Sequence, residues 1–260
     1  MQHSNARLSA GFTLLEMSVV LVIVATLVGA GIAVATSKIA QEQEDITRQR
    51  MAAIQKTLLD YRRVFDSLPC PAIAGAAIDD AAFGRGTSLQ PIGGSCNDDY
   101  PPSYSTGDVW GGSVPVRTLK LPDEYAFDGW GRRFLYFVDE EATGQGAFQA
   151  LGDITASVGD ITIMDLTGAT IESNALYMLL SHGPNGHGAI SRGGSTAVSS
   201  FSENSFEQDN CGCNVSGVNT GFDADFHTGP YTDTSIGTYV NYFDDIVVFG
   251  TRRSLRNLWE

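Results

Sequence analysis

Positive charge is scarce in this chain: 16 Lys and Arg stand against 30 Asp and Glu, a formal net charge of −14. That deficit excludes nucleic acid as a partner, because phosphate recognition needs a basic surface. Charge of either sign is missing from Met17 to Ala35, and before Gly11 only Arg7 carries a full charge. Proline is absent from Phe12 to Ser67, so nothing there forces a helix to stop. Cysteine is limited to Cys70, Cys96, Cys211 and Cys213, an even number placed after the apolar run, which predicts disulfides in an oxidising compartment. No nucleophile elbow stands around Ser181-His182, and adjacent residues of a strand point to opposite faces, so a hydrolase reading lacks its third group.

What is present begins with Gly11-Phe12-Thr13-Leu14-Leu15-Glu16 and the apolar run behind it. From 12 to 36 a helix at about 1.5 Å per residue is long enough for the roughly 30 Å hydrocarbon core. Glu16 is the anomaly, since a carboxylate in a membrane helix costs about 2.5–3.5 kcal/mol unless a cation meets it. A cut after Gly11 supplies one, the α-amino group of Phe12. A second reading of the same stretch remains open: Ala33-Val34-Ala35 has the small-x-small form of a secretory cleavage site, which would leave a soluble product starting near Thr36.

The apolar positions continue at Ile39, Ile46, Ile54, Leu58, Tyr61, Phe65 and Leu68 with charged residues on most other faces, so the helix is expected to leave the bilayer and turn amphipathic over 37–68. Pro69 and Pro71 stop it. The range 69–260 is expected to be one globular domain. Within it, 70–125 is rich in Gly, Pro, Ser and Asp and reads as a long loop tied by a Cys70–Cys96 bond, worth about 3 kcal/mol in the loop-entropy account. Cys211 and Cys213 are left to bond to each other or elsewhere. Strands are expected at 133–138, 148–151, 175–180 and 246–249, with a turn and return across 152–162, a polar insertion at 193–241 and a short helix in the 252–260 tail.

The hexapeptide before the apolar run resembles the type IV prepilin signal, cut between Gly and Phe by a dedicated peptidase that also methylates the new Phe nitrogen. Three later segments are similar to major pseudopilins of type II secretion: Asp128-Gly129-Trp130-Gly131 leading to Tyr136, Ser181-His182-Gly183-Pro184-Asn185-Gly186, and Asp244-Asp245 before a last strand. The resemblance implies an α+β, pilin-like fold, a long N-terminal helix (transmembrane, then amphipathic) packed on an antiparallel β-sheet. It implies a structural subunit, a minor pilin or pseudopilin, that makes no bonds of its own and is not an enzyme. Gly11 and Phe12 are then the processing residues, 1–11 the leader and Glu16 the assembly residue. Other subunits, the prepilin peptidase and the bacterial inner membrane are the implied partners, with a single pass and a periplasmic domain. In those pseudopilins the loop aspartate and the first aspartate of the pair hold calcium, so the ligands carried across are Asn185 and Asp244, with an amide replacing one carboxylate. Asp223, Asp225 and Asp233 are further oxygen donors within the insertion. His182, His187, Cys211 and Cys213 permit a zinc reading on loose spacing. The other class of function is a membrane-anchored adhesin or binding module displaying 193–241.

Overall fold

The computed structural model describes residues 13–86, 96, 104–144, 146–150, 159–194, 205–213, 221–230 and 243–256, with the side chains of 28–36, 149, 150 and 256 outside the description. Gly11, Phe12 and the 151–158 part of the expected turn lie outside it as well. The chain divides into two compact units at Glu42/Gln43.

Helix α1 runs Leu14–Phe65 and crosses that division. It starts with a reciprocal capping pair: the Glu16 N–H donates to Thr13 Oγ1 at 3.2 Å, and the Thr13 N–H donates back to Glu16 Oε2 at 3.3 Å. It ends at Asp66, whose positive φ of 52° and N–H to Arg62 O at 2.8 Å close the last turn before Pro69.

In the second unit, the described strands form one curled, mixed sheet of seven: β1 (Tyr104–Thr106), β2 (Val109–Ser113), β3 (Leu135–Asp139), β4 (Ile161–Met164), β5 (Thr170–Ser181), β6 (Asp225–His227) and β7 (Ile246–Thr251). The order is β1-β2-β3-β5-β4-β6, and β7 also pairs with β5, which therefore touches three strands. Besides the Gln43–Phe65 part of α1, the described residues of the unit hold the short α-helices α2 (Ala147–Ala150), α3 (Ser205–Asn210) and α4 (Arg252–Arg256) and two 3-10 turns, Asp123–Ala126 and Glu140–Ala142.

Both faces of the sheet are buried, and the period-two alternation of its strands sorts the side chains. Tyr136 and Val138 of β3 with Tyr177 and Leu179 of β5 lie in one cluster, which also takes Met51, Ile54 and Leu58 from α1. Leu135, Phe137, Met178 and Leu180 lie in the other, with Ile161, Ile163 and Phe226. Burying each of these aliphatic or aromatic side chains contributes about 1.5–3 kcal/mol.

The expected architecture is corrected on three counts. The sheet is mixed, not antiparallel, because β6 runs parallel to β4; the long connection from Met164 to Asp225 supplies the crossover that parallel pairing requires. Among the described residues no helix is long and apolar enough to cross a membrane. The transmembrane half, the prepilin-type anchoring and the single-pass inner-membrane placement are withdrawn with it. Lastly, α1 is not one helix laid along a sheet: only its Gln43–Phe65 portion belongs to the sheet's unit, and Ile39, read as part of the packed stripe, is exposed.

Smaller differences have local causes. β1 and β2 fall inside the stretch read as loop. Gly112 hides β2 from a propensity reading, yet a Cβ there would stand 2.2 Å from Ala72 O, where Ala72 and Ser113 exchange hydrogen bonds of 2.8 and 2.9 Å. Phe148, read as strand, sits in α2 and packs its ring under the Arg62 guanidinium at 4.7 Å.

The helix is docked by the Asp128-Gly129-Trp130-Gly131 turn. Asp128 Oδ1 accepts from the N–H groups of Trp130 and Arg132, both at 2.9 Å. Gly129 N–H donates to Thr47 Oγ1 at 2.8 Å, and Arg50 donates to the Phe127 carbonyl at 2.8 Å. A Cβ on Gly129 would lie 2.0 Å from Gln43 O, which only a backbone shift relieves. Gly129→Ala is therefore expected to lower stability by about 1–3 kcal/mol, the usual cost of overpacking. Urea unfolding followed by circular dichroism checks this, and a loss within about 0.5 kcal/mol, the range of an indifferent surface change, would contradict the close approach.

A buried carboxylate cluster

Three acids meet where the loop after β5, α3 and the entry to β7 come together. Glu207, Asp244 and Asp245 are all buried, and one carboxylate oxygen from each lies within 4.8 Å of the others. Phe243, fully buried, anchors the pair of aspartates from the chain side, and β7 begins directly after them. Gly183 has φ 51°, and its missing side chain lets the loop lie against Asp244, whose carbonyl oxygen would be 2.2 Å from a Cβ. Arg132 donates to the carbonyls of Gly183 and Pro184, holding the loop from the other side.

Some of the negative charge is met by amides. The Asn185 N–H donates to Asp244 Oδ2 at 2.7 Å, and the Asn185 side-chain NH2 donates to both Glu207 oxygens at 3.0 and 3.1 Å. Asp244 N–H also donates to Glu207 Oε1 at 3.2 Å, and Asn210 Nδ2 donates to Asp245 Oδ2 at 2.8 Å. His182, with no exposed surface, lies 3.7 Å from Asp245 Oδ1 through Nδ1. Burial pushes its imidazole down to about 4, so at neutral pH it brings no charge. Among the described residues both His182 ring nitrogens and Asp245 Oδ1 have no hydrogen-bond partner.

The electrostatics are unfavourable without a counter-charge. Burial first, then Asp245 and Glu207 nearby, push the Asp244 carboxyl up to about 9, and burial followed by Glu207 raises Asp245 well above the carboxylate range. Either protons or a cation must neutralise the group. The donor set is all oxygen and mostly carboxylate, which suits a hard divalent ion such as calcium, and the open Asp245 oxygen is the kind of atom that such an ion takes up. Glu207, Asp244 and Asp245 are the residues that fit it.

Of the residues expected here, Asn185 and Asp244 are brought together. The Asn185 carboxamide oxygen accepts the His187 N–H at 2.8 Å, so this amide presents its donor, not its oxygen, to the acids. Glu207 was missed, because it lies in a polar insertion without apolar period; its only sequence signal is an acid beside Phe206 in an otherwise Ser- and Asn-rich stretch. Asp223 is exposed and Asp225 sits on β6, neither in the cluster, and Asp233 lies outside the described residues. Ser181 donates to Asp128 Oδ2 at 2.8 Å while His182 turns to Asp245, so the two do not form a nucleophile and base. Cys70 is bonded to Cys96 and Cys211 to Cys213. His182 and His187 part company, the first with the acids and the second with the cysteines.

The sign of the pH dependence follows from Asp244. Its folded-state value, about 9, lies above the unfolded carboxyl at about 3.9, so between these limits the folded chain holds the extra proton and stability falls as pH rises. In chelator, the melting temperature should drop from about pH 5.5 to about pH 8.5, and calcium should flatten that slope. At a hundredfold excess over Kd calcium should raise the melting temperature at the higher pH by about 5–10 °C, and Asp245→Asn should shrink the gain. Scanning calorimetry reads both, and an unchanged melting temperature at millimolar calcium would exclude the ion. No family model, curated protein or solved structure matches this chain.

Proposed function

We propose that the chain is a structural subunit of a filament of the pilin or pseudopilin kind, joined to other subunits through the N-terminal section of α1. The observation that carries this reading is the state of the first unit. Leu14, Leu15, Leu21, Val22 and Leu27 are between 64% and 90% exposed, and Met17, Val19, Val20, Ile23 and Val24 between 47% and 52%. These residues occupy every side of the helix, so it has no solvent face and no core of its own. A helix apolar all round is stable in water only when other helices surround it. Equivalent helices from neighbouring copies supply that cover, and the burial of each large side chain contributes about 1.5–3 kcal/mol.

Glu16 then has two jobs to be told apart. It closes the capping pair with Thr13 inside its own chain, and in a bundle of apolar helices its charge wants a cation. Display of 193–241 as a binding surface has less support, because two of its described residues are spent inside the fold: Glu207 in the acid cluster and Phe226 in the core.

Glu16→Gln separates the two jobs, since glutamine preserves a capping pair and removes the charge. Incorporation into sheared filaments should fall by about tenfold or more in Glu16→Gln, as loss of about 1.4 kcal/mol per contact implies. Glu16→Ala should do no better. Quantitative blotting of sheared and cell-bound fractions measures it, and wild-type incorporation of the glutamine variant would reduce Glu16 to a helix cap.

A further inference from the structure

A second cluster of ligating atoms lies beside the carboxylates and has a different chemistry. Cys211 and Cys213 follow α3 directly, separated by Gly212 with φ 53°, and both are buried. Against them lies the loop after β5, whose His187 is fully buried. A ligand nitrogen of His187 and the two sulfurs lie within 4.8 Å of one another. The approach depends on the next residue: a Cβ at Gly188, φ 71°, would stand 2.4 Å from Cys211 Cβ and 2.8 and 2.9 Å from the two sulfurs. The Asn185 side chain holds the loop in this place by accepting the His187 N–H.

We propose that the reduced Cys211–Cys213 pair and His187 form a binding site for a thiophilic divalent metal, zinc in the first instance, and that the disulfide is its closed state. Opening needs a dithiol reductant. It delivers two electrons and two protons, the sulfur–sulfur bond breaks, two S–H bonds form, and the reductant leaves as its own disulfide. A zinc ion then displaces the two thiol protons, which go to solvent, and takes two thiolates and one neutral imidazole nitrogen. With bonds of about 2.3 Å to sulfur and 2.0–2.1 Å to nitrogen, tetrahedral donors stand roughly 3.5–3.8 Å apart; the His187 nitrogen is within 4.8 Å of both sulfurs, and the sulfurs, bonded to each other in the disulfide, part to that distance once the bond is reduced. Cys211 Sγ already lies 3.3 Å from Gln208 O, so a thiol there has an acceptor without rearrangement. Two thiolates and an imidazole favour a softer metal than the oxygen-only cluster does, which keeps this site apart from it. Three protein ligands leave the fourth position open to water or a small anion.

The test uses the full chain, as purified and after treatment with a dithiol and anaerobic desalting. Cobalt(II) serves as the optical probe. The reduced protein should bind one equivalent with a thiolate-to-cobalt charge-transfer band and the strong visible bands of a tetrahedral site, and zinc should bleach them; the oxidised protein should show neither. Cys211→Ser should remove the charge-transfer band and His187→Gln should weaken binding by tenfold or more, whereas Cys70→Ser should keep the band. A measurement without variants guards against misfolding: zinc should protect Cys211 and Cys213 of the reduced wild type from alkylation, read by peptide mass spectrometry. Equal alkylation with and without zinc, or a band that survives Cys211→Ser, overturns the proposal.

Discussion

Three carboxylates placed within 4.8 Å of one another and cut off from water are the constraint on which the second unit depends. They come from two separate stretches, the insertion through Glu207 and the β7 entry through Asp244 and Asp245, with Asn185 of a third, the β5 loop, clamped between them. An unpaired buried charge costs about 3–5 kcal/mol, so the site must be neutral to be stable. Protons do that below the raised carboxyl values, and a divalent cation does it above them. The same contacts hold α3 to the sheet, since Asn210 bonds Asp245 and also the His227 backbone of β6, and His227 Nε2 meets Asp209 at 2.9 Å. The acid cluster and the edge strand are thus one assembly.

The sheet itself is held by alternation on both faces, and its contact with α1 depends on glycines. Gly129 admits the Gln43 backbone, and Gly183 admits Asp244, at distances that no Cβ tolerates. Both glycines stand beside acids that order the turn: Asp128 caps its own loop and receives Ser181, and burial raises its carboxyl above the ordinary range despite those hydrogen bonds. Backbone approach and a buried carboxylate recur together, because a loop that lies this close to another segment has no room for water and must satisfy its amides with side chains.

How much of this could be read from the chain varies with the kind of signal. Strands with clear β-branched or aromatic runs, such as Leu135–Val138 and Ile246–Phe249, are legible because propensity and burial agree. The convergence of the Asn185 loop on Asp244 came from motif resemblance and not from period. Glu207 and β6 were not legible, since a three-residue strand and a six-residue helix in a polar stretch carry no pattern, and their partners lie far off in sequence. The membrane reading failed for another reason: hydropathy counted every residue from 12 to 36 as one span, while among the described residues no helix is long and apolar enough to cross a membrane. Spacing alone does not separate His182 from His187, and the fold puts the first with the acids and the second with the cysteines.

The account stands or falls on a cation shared by Glu207, Asp244 and Asp245. Anomalous diffraction from crystals of the chain grown with a calcium-like lanthanide tests it most directly. The account predicts one strong peak bonded to oxygens of all three acids, with the Asp245 oxygen that lacks a hydrogen bond among them. A structure at neutral pH with no peak there and two of the three carboxyls paired oxygen to oxygen through shared protons would contradict it.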